Sequence, residues 1–215
     1  MTDQPLLSYS GLAKSYGSKR VLVDVHGSAT YGNRVVILGS NGSGKTTLLK
    51  IFAGLLKSDA GQIRLDAKTW PPKSAAANAM VAWLPAIESG FWPRLSGRKS
   101  LELYARLWNV DNEHYSKVIS DWSSSTSFKE SLDMPTYQLS TGRRQLLHFA
   151  RLVMHKPKLI LADEPFRSLD EDNQAFVVEK IDKWLPNSVV IITSPNQTKV
   201  WRWHQELEIE NGSLK

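Results

Sequence analysis

An α/β fold with a mainly parallel core sheet is predicted by three features of this sequence. Val35-Val36-Ile37-Leu38, Leu159-Ile160-Leu161-Ala162 and Val189-Val190-Ile191-Ile192-Thr193 are unbroken apolar runs, the pattern of parallel strands covered on both faces. Helical periodicity precedes the second and third runs, over 143–155 and 172–184, which is the alternation of a layered α/β core. The first run leads directly into Gly39-Ser40-Asn41-Gly42-Ser43-Gly44-Lys45-Thr46, a glycine-rich loop that opens the amphipathic stretch Thr47-Leu48-Leu49-Lys50-Ile51-Phe52-Ala53. A chain of 215 residues with 41% hydrophobic content can bury one substantial core, with room for a small inserted subdomain.

The elements follow in order. Alternation and β-branched residues over 6–29, broken by the turn Tyr16-Gly17-Ser18-Lys19, predict two antiparallel strands. After the loop, its helix and Gly54, residues 61–66 read as a short strand and the Pro, Lys and Ala stretch 70–79 as a connection. Met80-Val81-Ala82-Trp83-Leu84 reads as a buried strand. Between Pro93 and Pro135 the period becomes helical, with Leu101, Tyr104, Ala105 and Trp108 on one face and a serine-rich break at 123–127. A helix over 199–203 and a short strand with a turn at Asn211-Gly212 complete the chain. The expected organisation is one domain, with a core over 1–85 and 157–215 that carries the antiparallel strands, and helices inserted over about 86–156.

The loop at Gly39 is a phosphate cradle. Its glycines let several backbone N–H groups face one anion, and the helix opening near Lys45 adds the positive end of its dipole. Lys45 can reach β- and γ-phosphates, and the Thr46 hydroxyl suits a magnesium ion bridging them, so a nucleoside triphosphate with Mg2+ is the expected ligand. The Leu159 run delivers Asp163-Glu164 at the strand's carboxyl end, where ligands sit in parallel sheets. Asp163 is placed to hold magnesium, directly or through water, and Glu164 to orient and polarise an attacking water.

Ser140, in Leu139-Ser140-Thr141-Gly142-Arg143, would cap a helix in any protein. The order of cradle, Leu-Ser-x-Gly element, apolar strand with Asp-Glu, and then Ser168-Leu169-Asp170 resembles the nucleotide-binding subunits of ATP-binding cassette (ABC) transporters, over essentially the whole chain. The resemblance implies a P-loop ATPase of ABC type, with ATP and Mg2+ bound across Gly39 to Thr47 and with catalytic roles for Lys45 and Glu164. It implies that Tyr16 stacks on adenine, although a lone tyrosine in a turn reads equally as a packing residue. It further implies a second ABC subunit, identical or not, whose cradle is closed in trans by Ser140, Thr141 and Gly142, with Ser168-Leu169-Asp170 as the loop beside that contact.

The sequence departs from the family pattern at two places. Ser194-Pro195-Asn196 stands where the family ends its strand with a histidine against the γ-phosphate. Pro85-Ala86-Ile87-Glu88 stands where a glutamine senses the metal. Thr141 and Arg143 also replace the usual Gly and Gln of the signature. His204 is the nearest histidine downstream of Ser194 and is expected to be surface or packing on the 199–203 helix. ATP binding with slow hydrolysis is the expectation.

Residues 90–104 resemble the corresponding loop and helix of exporter cassettes, and no regulatory region follows 206–215, so the resemblance favours an exporter docked on membrane-spanning subunits at the cytoplasmic side. A charge of +6 and a pI near 9.5 leave acidic partners open, yet no Lys or Arg block stands out and no nucleic acid is expected. Soluble non-transport cassettes usually carry two cassettes or a long coiled coil, for which this chain has no room; an ATP-responsive scaffold with little turnover is the other alternative. The absence of cysteine excludes disulfides and thiolate metal sites. No run approaches the roughly 20 apolar residues that cross a bilayer, and the amino end reads as no signal peptide.

Overall fold

The computed structural model describes residues 4–71, 80–86 and 90–215. The chain divides into two compact units, one over 1–84, 158–164 and 187–215 and the other over 85–157 and 165–186.

The first unit holds both sheets. Strands β1 (Leu7–Tyr16) and β2 (Lys19–Ala29) form the antiparallel hairpin expected around Tyr16, and β4 (Ala60–Leu65) and β5 (Lys68–Trp70) extend it in the order β2-β1-β4-β5. The three-residue β5 lies partly in the stretch read as a connection. It exists because Trp70 pairs with Ile63 and its Nε1 donates to the Phe52 carbonyl at 2.8 Å, contacts remote in sequence. The remainder of that connection, 72–79, lies outside the described residues.

The larger sheet runs β10 (Ser213–Leu214), β9 (Gln205–Glu210), β3 (Arg34–Leu38), β8 (Val189–Ser194), β7 (Leu159–Ala162), β6 (Val81–Leu84). All its pairings are parallel except β9 with β10. The three apolar runs become β3, β7 and β8, adjacent in the sheet and buried along nearly their whole length. Helix α1 (Lys45–Phe52) covers one face, with Leu48, Leu49, Ile51 and Phe52 in the same core as Ile37, Leu161 and Ile191. Register then fixes the site: Leu38 stands opposite Ser194 and Ala162 opposite Ile192, so the chain leaves β3, β8 and β7 side by side at their carboxyl ends.

The segment 199–203 is not the helix expected from its pattern. Parallel pairing of β9 with β3 requires an extended approach: His204 N–H donates to the Arg34 carbonyl at 2.9 Å, and His204 Nδ1 accepts the Arg34 N–H at 3.1 Å. Trp201 is buried with the Arg34 guanidinium over its ring. His204 is therefore an exposed residue bonded to the Arg34 backbone, at the end of β3 opposite the cradle.

The second unit is helical: α2 (Gly97–Leu107), α3 (Asn112–Trp122), α4 (Thr126–Asp133), α5 (Thr141–His155) and α6 (Glu171–Trp184). Serine ends the break at 123–127 in a useful way, since the Ser125 hydroxyl accepts from Phe128 N–H and caps α4. Residues 165–186, expected in the core, cluster with these helices. Several contacts hold them there: on α3, Asp121 accepts from Lys180 Nζ at 3.1 Å, Lys183 Nζ at 2.7 Å and Trp184 Nε1 at 2.7 Å, all from α6, and on α5 Gln145 Nε2 donates to the Pro165 carbonyl at 2.9 Å. Trp122 adds an edge-on contact with Phe176.

Candidate functional site

The cradle sits between β3 and α1. Gly39, Gly42 and Gly44 all have positive φ, the region that glycine enters without strain. At Gly39 a Cβ would meet Ser43 Oγ and the Ile209 carbonyl at 2.8 Å, and at Gly44 the Val21 carbonyl at 2.9 Å, so β9 and β2 press the loop from outside. Gly42 has open space instead, with nothing within 4 Å of a Cβ. A cavity of about 510 Å³ flanks the loop, lined by Lys19, Arg20, residues 40–43 and the turn at 208–212.

Two features suit this loop to an anion. Gly44 caps α1 without any side-chain hydrogen bond, leaving the helix amino end to the loop itself. Ser43 Oγ is buried with no hydrogen-bond partner. Lys45, buried at 5% exposure, folds back so that Nζ donates to the Gly39 carbonyl at 2.6 Å and the Ser40 carbonyl at 3.0 Å. Its ammonium therefore lies over the loop, where it can meet phosphate oxygens.

Thr46 and Asp163, the two residues expected to share a metal, are brought into contact. Thr46 Oγ1 donates to Asp163 Oδ2 at 2.7 Å, although the two residues are 117 positions apart. An alcohol and a carboxylate are hard oxygen donors, which fit Mg2+ held by one or two protein groups with phosphates completing the shell. Glu164 follows in the left-handed region with φ 47°, and its N–H is held by the Thr193 hydroxyl at 2.9 Å. The same hydroxyl donates to Asp163 Oδ1 at 2.6 Å. Thr193 was missed in the sequence because it looked like one more β-branched residue of an apolar strand; only the register of β7 beside β8 reveals it.

Ser194 ends β8 opposite Leu38, next to the cradle, but its hydroxyl donates to the carbonyl of Asn196 at 2.6 Å. A short hydroxyl turned onto its own loop has neither the reach nor the basicity of an imidazole. Of the other departure, Pro85 and Ala86 are described, while Ile87 and Glu88 lie outside the described residues. Tyr16 stands at the hairpin tip, 53% exposed, with Lys14 Nζ at 5.7 Å from its ring centroid. An aromatic face at that tip remains open to a flat ligand.

Ser140, Thr141 and Gly142 belong to the helical unit. The Ser140 hydroxyl caps α5 by accepting Arg143 N–H at 3.3 Å, and Ser140 and Thr141 are exposed. Gly142 is required by its neighbour: a Cβ there would meet the Ser168 carbonyl at 2.6 Å, so this turn and the 168–170 loop touch. Leu169 N–H donates to the Phe166 carbonyl at 3.1 Å, and Asp170 caps α6 through Asn173 N–H at 2.8 Å.

The family profile described as ABC transporter matches residues 22–167, from β2 through the cradle to just past Glu164. A cytochrome c biogenesis ATP-binding export protein of Hyphomonas neptunium is 33% identical over 90% of this chain and 91% of its own length. A spermidine/putrescine import ATP-binding protein of Haemophilus influenzae is 30% identical over 79% of this chain but 45% of its own length. Two other curated relatives are spanned over 53% and 65% of their length. Among solved structures, the ATP-binding subunit of an ABC transporter superposes with a TM-score of 0.86 at 21% identity, covering 98% of this chain and 88% of that one, which establishes the fold.

Proposed function

This chain belongs to the ABC transporter family of ATP-binding proteins, and from that premise we propose that it is the ATPase subunit of an exporter, peripheral to the cytoplasmic face of a membrane and working as a closing dimer with slowed hydrolysis. ATP binding and ATPase activity are properties of the family. The observation that carries the reading is the chain of bonds from Thr46 to Asp163 and through Thr193 to the Glu164 N–H, beside the glycine-rich cradle, with the Ser194 hydroxyl turned onto its own loop.

In this reading the N–H groups of 41–47 and Lys45 hold the triphosphate, and Tyr16 stacks on adenine. Thr46 and Asp163 hold Mg2+, which when bound neutralises charge on the phosphate oxygens. Glu164 takes a hydrogen bond from the attacking water and orients it. Ser140 and Gly142 of a facing subunit bring the amino end of α5 to the γ-phosphate, where its N–H groups favour the anion. Among the described residues no helix is long and apolar enough to cross a membrane, so transport calls for membrane-spanning partners. Export is supported by the export relative aligned over nine-tenths of both chains, whereas the import relative is matched over less than half its length.

The missing imidazole is the element that slows turnover, since a lost proton-shuttling or positioning group costs about 10² to 10⁴ in rate. Single-turnover hydrolysis of the wild type and Ser194→His tests this. The expected result is a gain of about 10²-fold or more in the variant. A wild type that is already fast and unmoved by the histidine overturns the slowed-hydrolysis reading.

A further inference from the structure

The Thr193 hydroxyl, 1% exposed, occupies the junction between the two acidic residues of the site. Its single proton goes to Asp163 Oδ1, and its oxygen accepts the N–H of Glu164. Asp163 uses its other oxygen, Oδ2, for the Thr46 hydroxyl. The carboxylate is thereby gripped at both ends, from the helix after the cradle and from β8. Glu164, meanwhile, holds a left-handed backbone at φ 47° that a non-glycine residue keeps only when its surroundings enforce it. The N–H bonded to Thr193 belongs to the peptide that enters this strained residue. β-Branching limits the rotation of Thr193 about χ1, so its hydroxyl is a fixed point on the sheet rather than a mobile one.

We propose that Thr193 is a positioning residue that ties the Asp163 carboxylate to the Glu164 backbone, so that the metal-binding oxygen and the water-orienting carboxylate are set as one unit. This rests on the roles given above to Asp163 and Glu164. Such outer partners of a metal ligand orient it, and losing them costs about 10- to 100-fold in metal affinity or activity. A purely architectural role, satisfying two polar groups at the end of a buried strand, makes a different prediction: stability falls in every condition while the magnesium dependence stays put.

The test uses the full chain with Thr193→Val, which keeps the shape and deletes the hydroxyl, Thr193→Ser, which restores the hydroxyl, and Asp163→Asn. Binding of a fluorescent ATP analogue is measured in EDTA and through a magnesium titration, together with kcat and KM at saturating metal and the thermal midpoint in EDTA. For Thr193→Val we expect binding in EDTA unchanged, the half-saturating magnesium concentration raised about 10- to 100-fold, and kcat reduced more than KM, with Thr193→Ser close to wild type. Should the valine variant fail to accumulate, Thr193→Cys, a weaker donor of similar size, carries the same expectation. Wild-type magnesium dependence and kcat in Thr193→Val, with or without a lower midpoint, overturns the inference, as does a serine variant as impaired as the valine one. If Asp163→Asn is impaired while Thr193→Val is normal, the inference falls alone. If Asp163→Asn itself leaves the magnesium dependence unchanged, the magnesium reading falls and takes the inference with it.

Discussion

In the sheet unit, Thr46, Asp163, Thr193 and the Glu164 backbone are joined by consecutive hydrogen bonds between side chains that lie far apart in sequence. At the Ser140 turn the bonding is local: Ser140 caps its own helix three residues on, Asp170 does the same for α6, and the two segments meet through a backbone carbonyl against a glycine. The first region is a pre-organised set of side-chain oxygens, suited to holding a cation and a water. The second presents helix amino ends and exposed hydroxyls, suited to meeting an anion brought from outside. Along that chain of bonds Thr46, Asp163 and Thr193 each have a specific partner, whereas Ser140 and Thr141 stand exposed beside a helix amino end.

The comparison can be broken most decisively at Glu164. Glu164→Gln keeps the N–H that Thr193 holds, so ATP binding should persist while single-turnover hydrolysis falls by about 10² to 10⁴. Unchanged hydrolysis would mean that the side chain is not the water-orienting group. Gly142→Ala probes the other region. Helix propensity alone would favour alanine by about 1 kcal/mol, but the Cβ placed 2.6 Å from the Ser168 carbonyl should outweigh it, since overpacking costs about 1–3 kcal/mol. Denaturant unfolding should show a net loss, and a stabilised variant would mean that the Ser168 carbonyl does not require glycine at 142. The smallest effect is expected for Ser140→Ala, about 1 kcal/mol from the lost cap of α5, read by the same unfolding curves. A cost well beyond that would mean that the Ser140 side chain does more than cap its helix.

Much of this could be read before any coordinates. The cradle, the Asp163-Glu164 pair and the Ser140 cap are local patterns in which residue type and spacing carry the chemistry, and so are the unbroken apolar runs that became β3, β7 and β8. The helix expected over 199–203 failed because its periodicity competed with a strand pairing 170 positions away, where His204 meets Arg34. β5 was too short to leave a pattern, and residues 165–186 join the helices through contacts remote in sequence, among them the Asp121 carboxylate with α6 and Trp122 against Phe176.

From sequence alone came the phosphate-binding loop, the two carboxylates and Ser194 at the end of its strand, because each is written in contiguous residues whose backbone geometry and charge act locally, and the family resemblance, because the order of such strings along the chain carries it. Only the tertiary structure revealed the two hydrogen bonds of Thr193, the close approach at Gly142 and the placement of His204 away from the cradle. Those depend on which strand ends lie side by side and which carbonyl approaches which Cα, and such neighbours are chosen by sheet register and packing, 30 positions apart for Thr193 and Asp163 and 170 for His204 and Arg34, rather than by any short string.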